Sequence, residues 1–204
     1  MSHFGHLMID LETLGAGQVN VPVVGIGAVF FDPNSGVLGD EFDAALDLDS
    51  AMQFGRATGS TIKWWLQQGD AARKVVTRGS EKAQPVYERF WDFCRKYGGN
   101  VQVWGNGSSF DISILEYTFP RVINRDAPWK FWNVRDCRTI KELCQGIVEL
   151  NDKFAGTAHV ALDDAKHQAR WVSVGWQALR GARSTAAKTS PPAEAKAAGT
   201  LLDL

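Results

Sequence analysis

The sequence predicts an α/β fold built on a mixed sheet that starts with antiparallel strands. Three observations carry the prediction. Residues 6–46 contain three apolar, β-branched runs separated by turn chemistry. From about residue 60 the apolar period lengthens to that of helices, with short apolar runs between them. The described order then closes on one long amphipathic stripe. Strands first, followed by alternating helices and strands, is the layout of a layered α/β domain rather than of a bundle or a sandwich.

The elements follow in chain order. "HLMIDLE" from His6 is the first strand, "VPVVGIGAVFFD" over 21–32 the second, and "GVLGDEFDAALDL" over 36–48 the third. "DPNSG" between the last two has the Pro, Asn and Gly of a hairpin turn, so these strands form an antiparallel meander. "STIKWWLQQ" is a helix with Ser60 or Thr61 as its N-cap. Over 84–99, Val86, Phe90, Phe93 and Tyr97 stand at helical spacing, and Gly98-Gly99 is the stop. "VQVW", 101–104, is a short buried strand. "SFDISILEYTF", 109–119, is a helix that Pro120 ends. "FWNVRD", 131–136, is a strand, and "RTIKELCQG" is a helix followed by Gly146. Leu162, Ala165, Ala169, Val172, Trp176 and Leu179 alternate spacings of three and four, giving a final helix of about 18 residues. Beyond it the composition shifts to Ala, Ser, Thr, Pro and Lys. The expected organisation is one domain over 1–180 and a flexible tail over 181–204.

Composition narrows the function. The chain has 204 residues, enough for one domain with a real core. Its formal net charge is −1, from 22 basic and 23 acidic residues. That balance argues against coating a duplex by bulk charge, and leaves room for a small site that takes a strand end. Cys94, Cys137 and Cys144 form no CxxC pair. Together with an N-terminus that lacks a basic segment followed by an apolar run, they point to a reduced, cytoplasmic protein. No stretch has the length and hydropathy of a membrane span, so no membrane partner is expected.

Acids in apolar surroundings carry the chemistry. Asp10 and Glu12 stand two apart on the first strand and therefore point to one face. Two carboxylates there repel, and burying them unpaired costs several kcal/mol. No Lys or Arg lies within five residues of either. A shared proton, a distant basic partner or a hard cation such as Mg2+ would relieve the pair, as would solvent on a partly exposed strand. Asp111 follows a buried strand and the Gly105-Asn106-Gly107 turn, near a helix start, a common position for ligands in α/β sheets. Helix capping by Ser108, Ser109 or Asp111 is the plain alternative. His159 and Asp164 stand five apart, which on one helix would separate them. They can cooperate only if His159 lies in the loop ahead of the helix and Asp164 in its first turns. Asp163 is the rival acid, and His167 is read as surface or packing.

Asp10-x-Glu12-Thr13, Asn106-x-x-x-Phe110-Asp111 and His159-x-x-x-x-Asp164, in that order, resemble the three motifs of the DEDDh (DnaQ-like) 3′-5′ exonucleases of the ribonuclease H-like superfamily. The resemblance spans about residues 5–180. Trp64-Trp65, "VWGNGSSFD" and "PWKFWNVRDCRT" (128–139) resemble a bacterial and phage subgroup of exoribonuclease-like proteins. It implies a ribonuclease H-like mixed five-stranded sheet flanked by helices. It also implies that Asp10, Glu12, Asp111 and Asp164 hold two divalent cations, Mg2+ or Mn2+, which clamp the attacking and leaving oxygens of an in-line displacement. His159 would take the proton from the attacking water. Thr13 and Leu14 would contact the terminal nucleotide through backbone and an apolar wedge, with ordinary packing the plain alternative for Leu14; Asn106 would orient Asp111 or touch substrate, or be simply a turn residue. The products would be nucleoside 5′-monophosphates. The expected partners are single-stranded 3′ ends, RNA favoured over DNA, with homodimer formation compatible with the family.

Other residues have plainer alternatives beside sharper ones. Of eight tryptophans, Trp104 and Trp176 are expected in the core. One of Trp64 and Trp65 is expected to face the core and leave the other free to stack on a base. Arg135-Asp136-Cys137-Arg138-Thr139 is an ion pair or cap, or else a phosphate contact. Lys63, Arg73, Lys74 and Arg78 form a solvated face. The terminal "TLLDL" is a frayed end, or else a loose match to sliding-clamp peptides. A DNA exonuclease of proofreading or phage DNA-turnover type, and a non-catalytic nucleic-acid-binding module, are the rival functions. The intact four acids and histidine speak against the second.

Overall fold

The computed structural model describes residues 4–150, 154 and 156–189. Five strands form one sheet: β1 (His6–Thr13), β2 (Val23–Asp32), β3 (Val37–Ala45), β4 (Gln102–Gly105) and β5 (Val134–Asp136). Their spatial order is β3-β2-β1-β4-β5. β1 pairs antiparallel with β2, and β2 with β3, while β4 runs parallel to both β1 and β5. The antiparallel opening and mixed sheet expected from the sequence are present.

Helices cover both faces: α1 (Leu48–Ala51), α2 (Gly59–Gln67), α3 (Asp70–Thr77), α4 (Ala83–Cys94), α5 (Ser108–Ile123), α6 (Cys137–Leu143) and α7 (Ala161–Thr189). Alternation along the strands divides the core in two. Leu7, Ile9 and Leu11 of β1, with Ile26 and Phe30 of β2, pack against α4 and α5 through Val86, Phe90, Ile112, Leu115 and Phe119. Met8, Val29, Phe31 and Trp104 face the other way, onto Ala165, Ala169 and Val172 of α7 and Cys137 of α6. Asp10 and Glu12 share the parity of Met8, so the fold aims them toward the α7 side. All three cysteines are buried and free. No helix among the described residues is long and apolar enough to cross a membrane.

Several boundaries differ from the sequence reading. Thr58, not Ser60 or Thr61, caps α2, its side chain accepting from the Thr61 N–H. The local sequence offers three hydroxyls, and the earliest one, followed by Gly59, takes the cap. α4 stops at Cys94, and turns carry the chain on to Gly98, whose φ of 99° suits glycine. Pro120 does not end α5, which continues to Ile123. Pro120 and Glu116, whose carbonyl loses its helical donor, are both exposed, so water can replace that bond while Val122 adds to the core. Of the 131–136 strand, Phe131–Asn133 is a 3-10 turn and only Val134–Asp136 pairs. α7 runs to Thr189, past the expected domain boundary at 180. The Ala-rich sequence there is a good helix former even without an apolar stripe. The terminal "TLLDL" lies outside the described residues.

Candidate active site

The acids meet at the end of β1 beyond its last pair with β4. β4 pairs with β1 only as far as Met8, so the two strands part ahead of Asp10. Leu11's N–H, past that last pair, donates to Oδ1 of Asp111 at 3.2 Å. Asp111 stands in the first turn of α5, buried, and its backbone is delivered there by the turn that follows β4. None of the expected caps operates: Gly107 is the N-cap residue, at φ 100°, with no side-chain cap bond. The Asp136 carboxylate instead accepts the Ser108 N–H while also capping α6 through Arg138 and Thr139.

α7 brings the last acid. Asp164 lies in its first turn, and its carboxylate reaches back to accept the His159 N–H at 2.8 Å. That bond closes the entry turn and holds His159 at a left-handed φ of 63°, in the loop ahead of the helix. Asp163, the rival acid, faces elsewhere and accepts the Thr157 N–H. One oxygen from each of Asp10, Glu12 and Asp164 falls within 4.8 Å of the others. Asp111 is not in that tight group. It adjoins the group through Leu11 and through its charge on Asp10 and Glu12.

The electrostatics are those of anions lacking a counter-charge. Burial, then the charges of Asp111, Glu12 and Asp164, push the Asp10 carboxyl well above the ordinary range. Burial, with Asp164 and Asp111, lifts Glu12 to about 8. Burial raises Asp111 to about 7, against the pull of the Leu11, Asp111 and Asn106 N–H groups and of the Arg138 charge. Asp164 is raised too, by burial first. A hard dication fits such a donor set: only carboxylate oxygens, close together, with no basic side chain bonded to them among the described residues.

A cleft of about 460 Å³ opens beside the acids, its lining including Glu12, Thr13, Gly15, Ser60, Trp64 and Phe110. The two adjacent tryptophans divide as expected. Trp65 is 5% exposed, and its Nε1 donates to the Thr13 carbonyl at 2.9 Å, while Trp64 is 40% exposed and faces the cleft. The His159 imidazole meets the Trp64 ring edge to face, with 4.9 Å between centroids. Thr13 lines the cleft, but its hydroxyl is already bonded to the Gly15 carbonyl. Leu14 is buried in the main core, its N–H and carbonyl bonded to Pro22 and Thr58. Its side chain is packing, which differs from the expected wedge against substrate. Asn106 acts on Asp111 through its backbone N–H. His167 is buried against Phe154 and Trp171.

Two residues at the site were missed in the sequence. Gln168 donates from Nε2 to Oδ1 of Asp10 at 2.8 Å. A Gln on an amphipathic helix looks like surface, and no local pattern marks it. Gly27 lies directly opposite Asp10 on β2. A Cβ there would sit 2.1 Å from the Ala161 carbonyl carbon and the Leu162 N, so the missing side chain lets the start of α7, and Asp164 with it, press onto the sheet. Glycine inside an apolar strand was the available signal.

The mixed five-stranded sheet with acids gathered at the end of its central strand defines a class: the DEDDh exonucleases of the ribonuclease H-like fold. The model of the 3′-5′ exoribonuclease Rv2179c-like domain matches residues 5–176, and the chain belongs to that family. An exodeoxyribonuclease of Enterobacteria phage T4 is 30% identical over 157 residues, covering 65% of this chain and 68% of the phage protein. The nuclease domain of 3′hExo, a DEDDh family member solved with rAMP, superposes with a TM-score of 0.56 at 14% identity, over 86% of this chain and 94% of that one. S. pombe Pop2p, in a Mg2+- and Mn2+-bound form, gives 0.57 at 15% identity, over 84% and 82%. At such identities the two structures speak for the fold alone. The chain is a 3′-5′ exonuclease.

Proposed function

We propose that the protein removes nucleotides from the 3′ end of single-stranded RNA, releasing nucleoside 5′-monophosphates, with Asp10, Glu12, Asp164 and Asp111 holding two divalent cations, Mg2+ or Mn2+. The observation that carries the reading is the convergence of Asp10, Glu12 and Asp164, from two separate elements, within 4.8 Å beside an open cleft. Bound cations would supply Lewis acidity and a water of lowered pKa. The chain's own residues do the rest. The cleft between Trp64 and Phe110 takes the terminal nucleoside, whose base finds aromatic and apolar walls. Backbone at Glu12 and Thr13 faces its sugar end. His159 leaves its contact with Trp64 and takes the proton of the attacking water, a role suited to an imidazole at neutral pH. Asp164 holds the His159 backbone and so sets where that ring can reach.

RNA is favoured because the matching family is one of exoribonuclease domains. The phage relative supports a second reading, a DNA exonuclease, on 30% identity. The two differ at the 2′-OH, which the chain must either bond or ignore. One gel series tests both. End-labelled RNA and DNA, single-stranded and with 3′ overhangs, are incubated with Mg2+, Mn2+ or EDTA. Stepwise shortening of RNA from the 3′ end, absent in EDTA and slower on DNA, is expected. Equal or faster cleavage of DNA would favour the second reading, and cleavage unaffected by EDTA would overturn the cation site.

A further inference from the structure

We propose that Gln168 is a positioning residue of the cation site. Its Nε2 fixes Oδ1 of Asp10, leaving Oδ2 for the cation. The proposal rests on the reading of the acidic cluster given above.

Three observations support it. Gln168 lies four residues after Asp164 on α7, so one helix face presents both a candidate ligand and the amide that orients another. The bond to Asp10 is short, 2.8 Å, and sets the amide's orientation. As a cation ligand Asp10 must be ionised, and an ionised carboxylate only accepts hydrogen bonds, so in that state the NH2 group faces it and the carbonyl oxygen faces away. That oxygen, Oε1, is buried and has no hydrogen-bond partner among the described residues, on a side chain only 5% exposed. A buried acceptor without a donor is costly. Leucine or methionine would fill the same place on α7 without that cost, beside Ala165, Ala169 and Val172. An amide here is useful when Asp10 must be held in one orientation. A cation held by Asp10 sets that requirement.

The test compares wild type with Gln168→Met, Gln168→Glu and a structural control, Ser173→Ala. Ser173 is buried on the same helix, and its hydroxyl bonds the Ala169 carbonyl. Mn2+ binding is measured by isothermal titration calorimetry, and melting temperature in EDTA. Gln168→Met should weaken Mn2+ binding about 10–100-fold, with a melting temperature in EDTA no lower than that of Ser173→Ala. Its kcat should fall and partly recover at high Mn2+, with KM for the oligonucleotide unchanged. Gln168→Glu, which sets another carboxylate against Asp10, should lower kcat further. Ser173→Ala should bind Mn2+ as wild type does. Wild-type Mn2+ affinity in Gln168→Met, or an equal loss in Ser173→Ala, would overturn the proposal alone. A wild-type protein that bound no Mn2+ would overturn the acidic-cluster reading as well.

Discussion

Asp10 illustrates how a residue that is unfavourable for folding can mark a candidate functional site. Its carboxyl is raised by burial and by three neighbouring acids, with only Gln168 pulling the other way. Replacing it with Asn removes one charge from a self-repelling group. Asp10→Asn should therefore melt higher than wild type in EDTA at pH 8, by roughly 2–8 °C for a gain of about 1–2 kcal/mol, while losing more than about 10²-fold in kcat. A variant that melts lower and remains active would argue against the cluster. His159→Ala should slow cleavage by about 10²–10⁴-fold with metal affinity nearly unchanged, measured by single-turnover cleavage beside a Mn2+ titration. The placement of these two residues was legible because their settings are anomalous: an acid on an apolar strand, and a histidine at a spacing from Asp164 that puts it on another helix face. Gln168 was not legible, because nothing about a polar residue on a half-exposed helix distinguishes a ligand orienter from a solvated side chain. Leu14 was open in the sequence between packing and substrate contact, and the structure packs it in the core.

At the scale of elements, the approach of α7 to the sheet decides whether Asp164 reaches Asp10 and Glu12. Gly27 permits that approach, since a Cβ would meet the Ala161–Leu162 backbone at 2.1 Å. Gly27→Ala should cost about 3 kcal/mol by overpacking, seen as a fall of roughly 6–12 °C in melting temperature. Because the displaced element carries Asp164, it should also weaken Mn2+ binding. A variant as stable as wild type would show that α7 has slack there. The strand and helix order was readable from apolar periodicity, and the antiparallel opening from the hairpin chemistry of "DPNSG". Helix ends were less readable. The cap of α2 had three hydroxyls within four residues, and Pro120 stands at an exposed position where water can replace the bond it removes. The length of α7 escaped because a compositional change was taken for a structural one.

For the whole molecule, the acids make stability depend on pH and on cations together. A carboxyl whose folded pKa is raised binds its proton more tightly in the folded state. Stability is then fully present below the unfolded pKa and is lost as pH rises toward the folded value. With Glu12 at about 8 and Asp111 at about 7, the protein in EDTA should lose melting temperature steadily between about pH 4.5 and 8. Asp136 works in the other direction. Burial raises its carboxyl, but the N–H groups of Ser108, Thr139 and Arg138 outweigh that and hold it below the usual range, so its contribution is lost on acidification. The metal-free optimum should thus lie on the mildly acidic side. A cation that binds only the folded, ionised cluster adds stability by mass action and should flatten the alkaline decline. The near-neutral net charge fits the proposed reading, in which affinity for nucleic acid is concentrated at the cleft beside the acids rather than spread over the surface.

The most direct measurement is the melting temperature at pH 8 in EDTA and in millimolar Mn2+, for wild type and Asp10→Asn side by side. A folded, preformed cation site gives a clear rise with Mn2+ in wild type and a much smaller one in the variant. Identical melting of wild type with and without Mn2+ would contradict the central claim that these acids are gathered to hold cations.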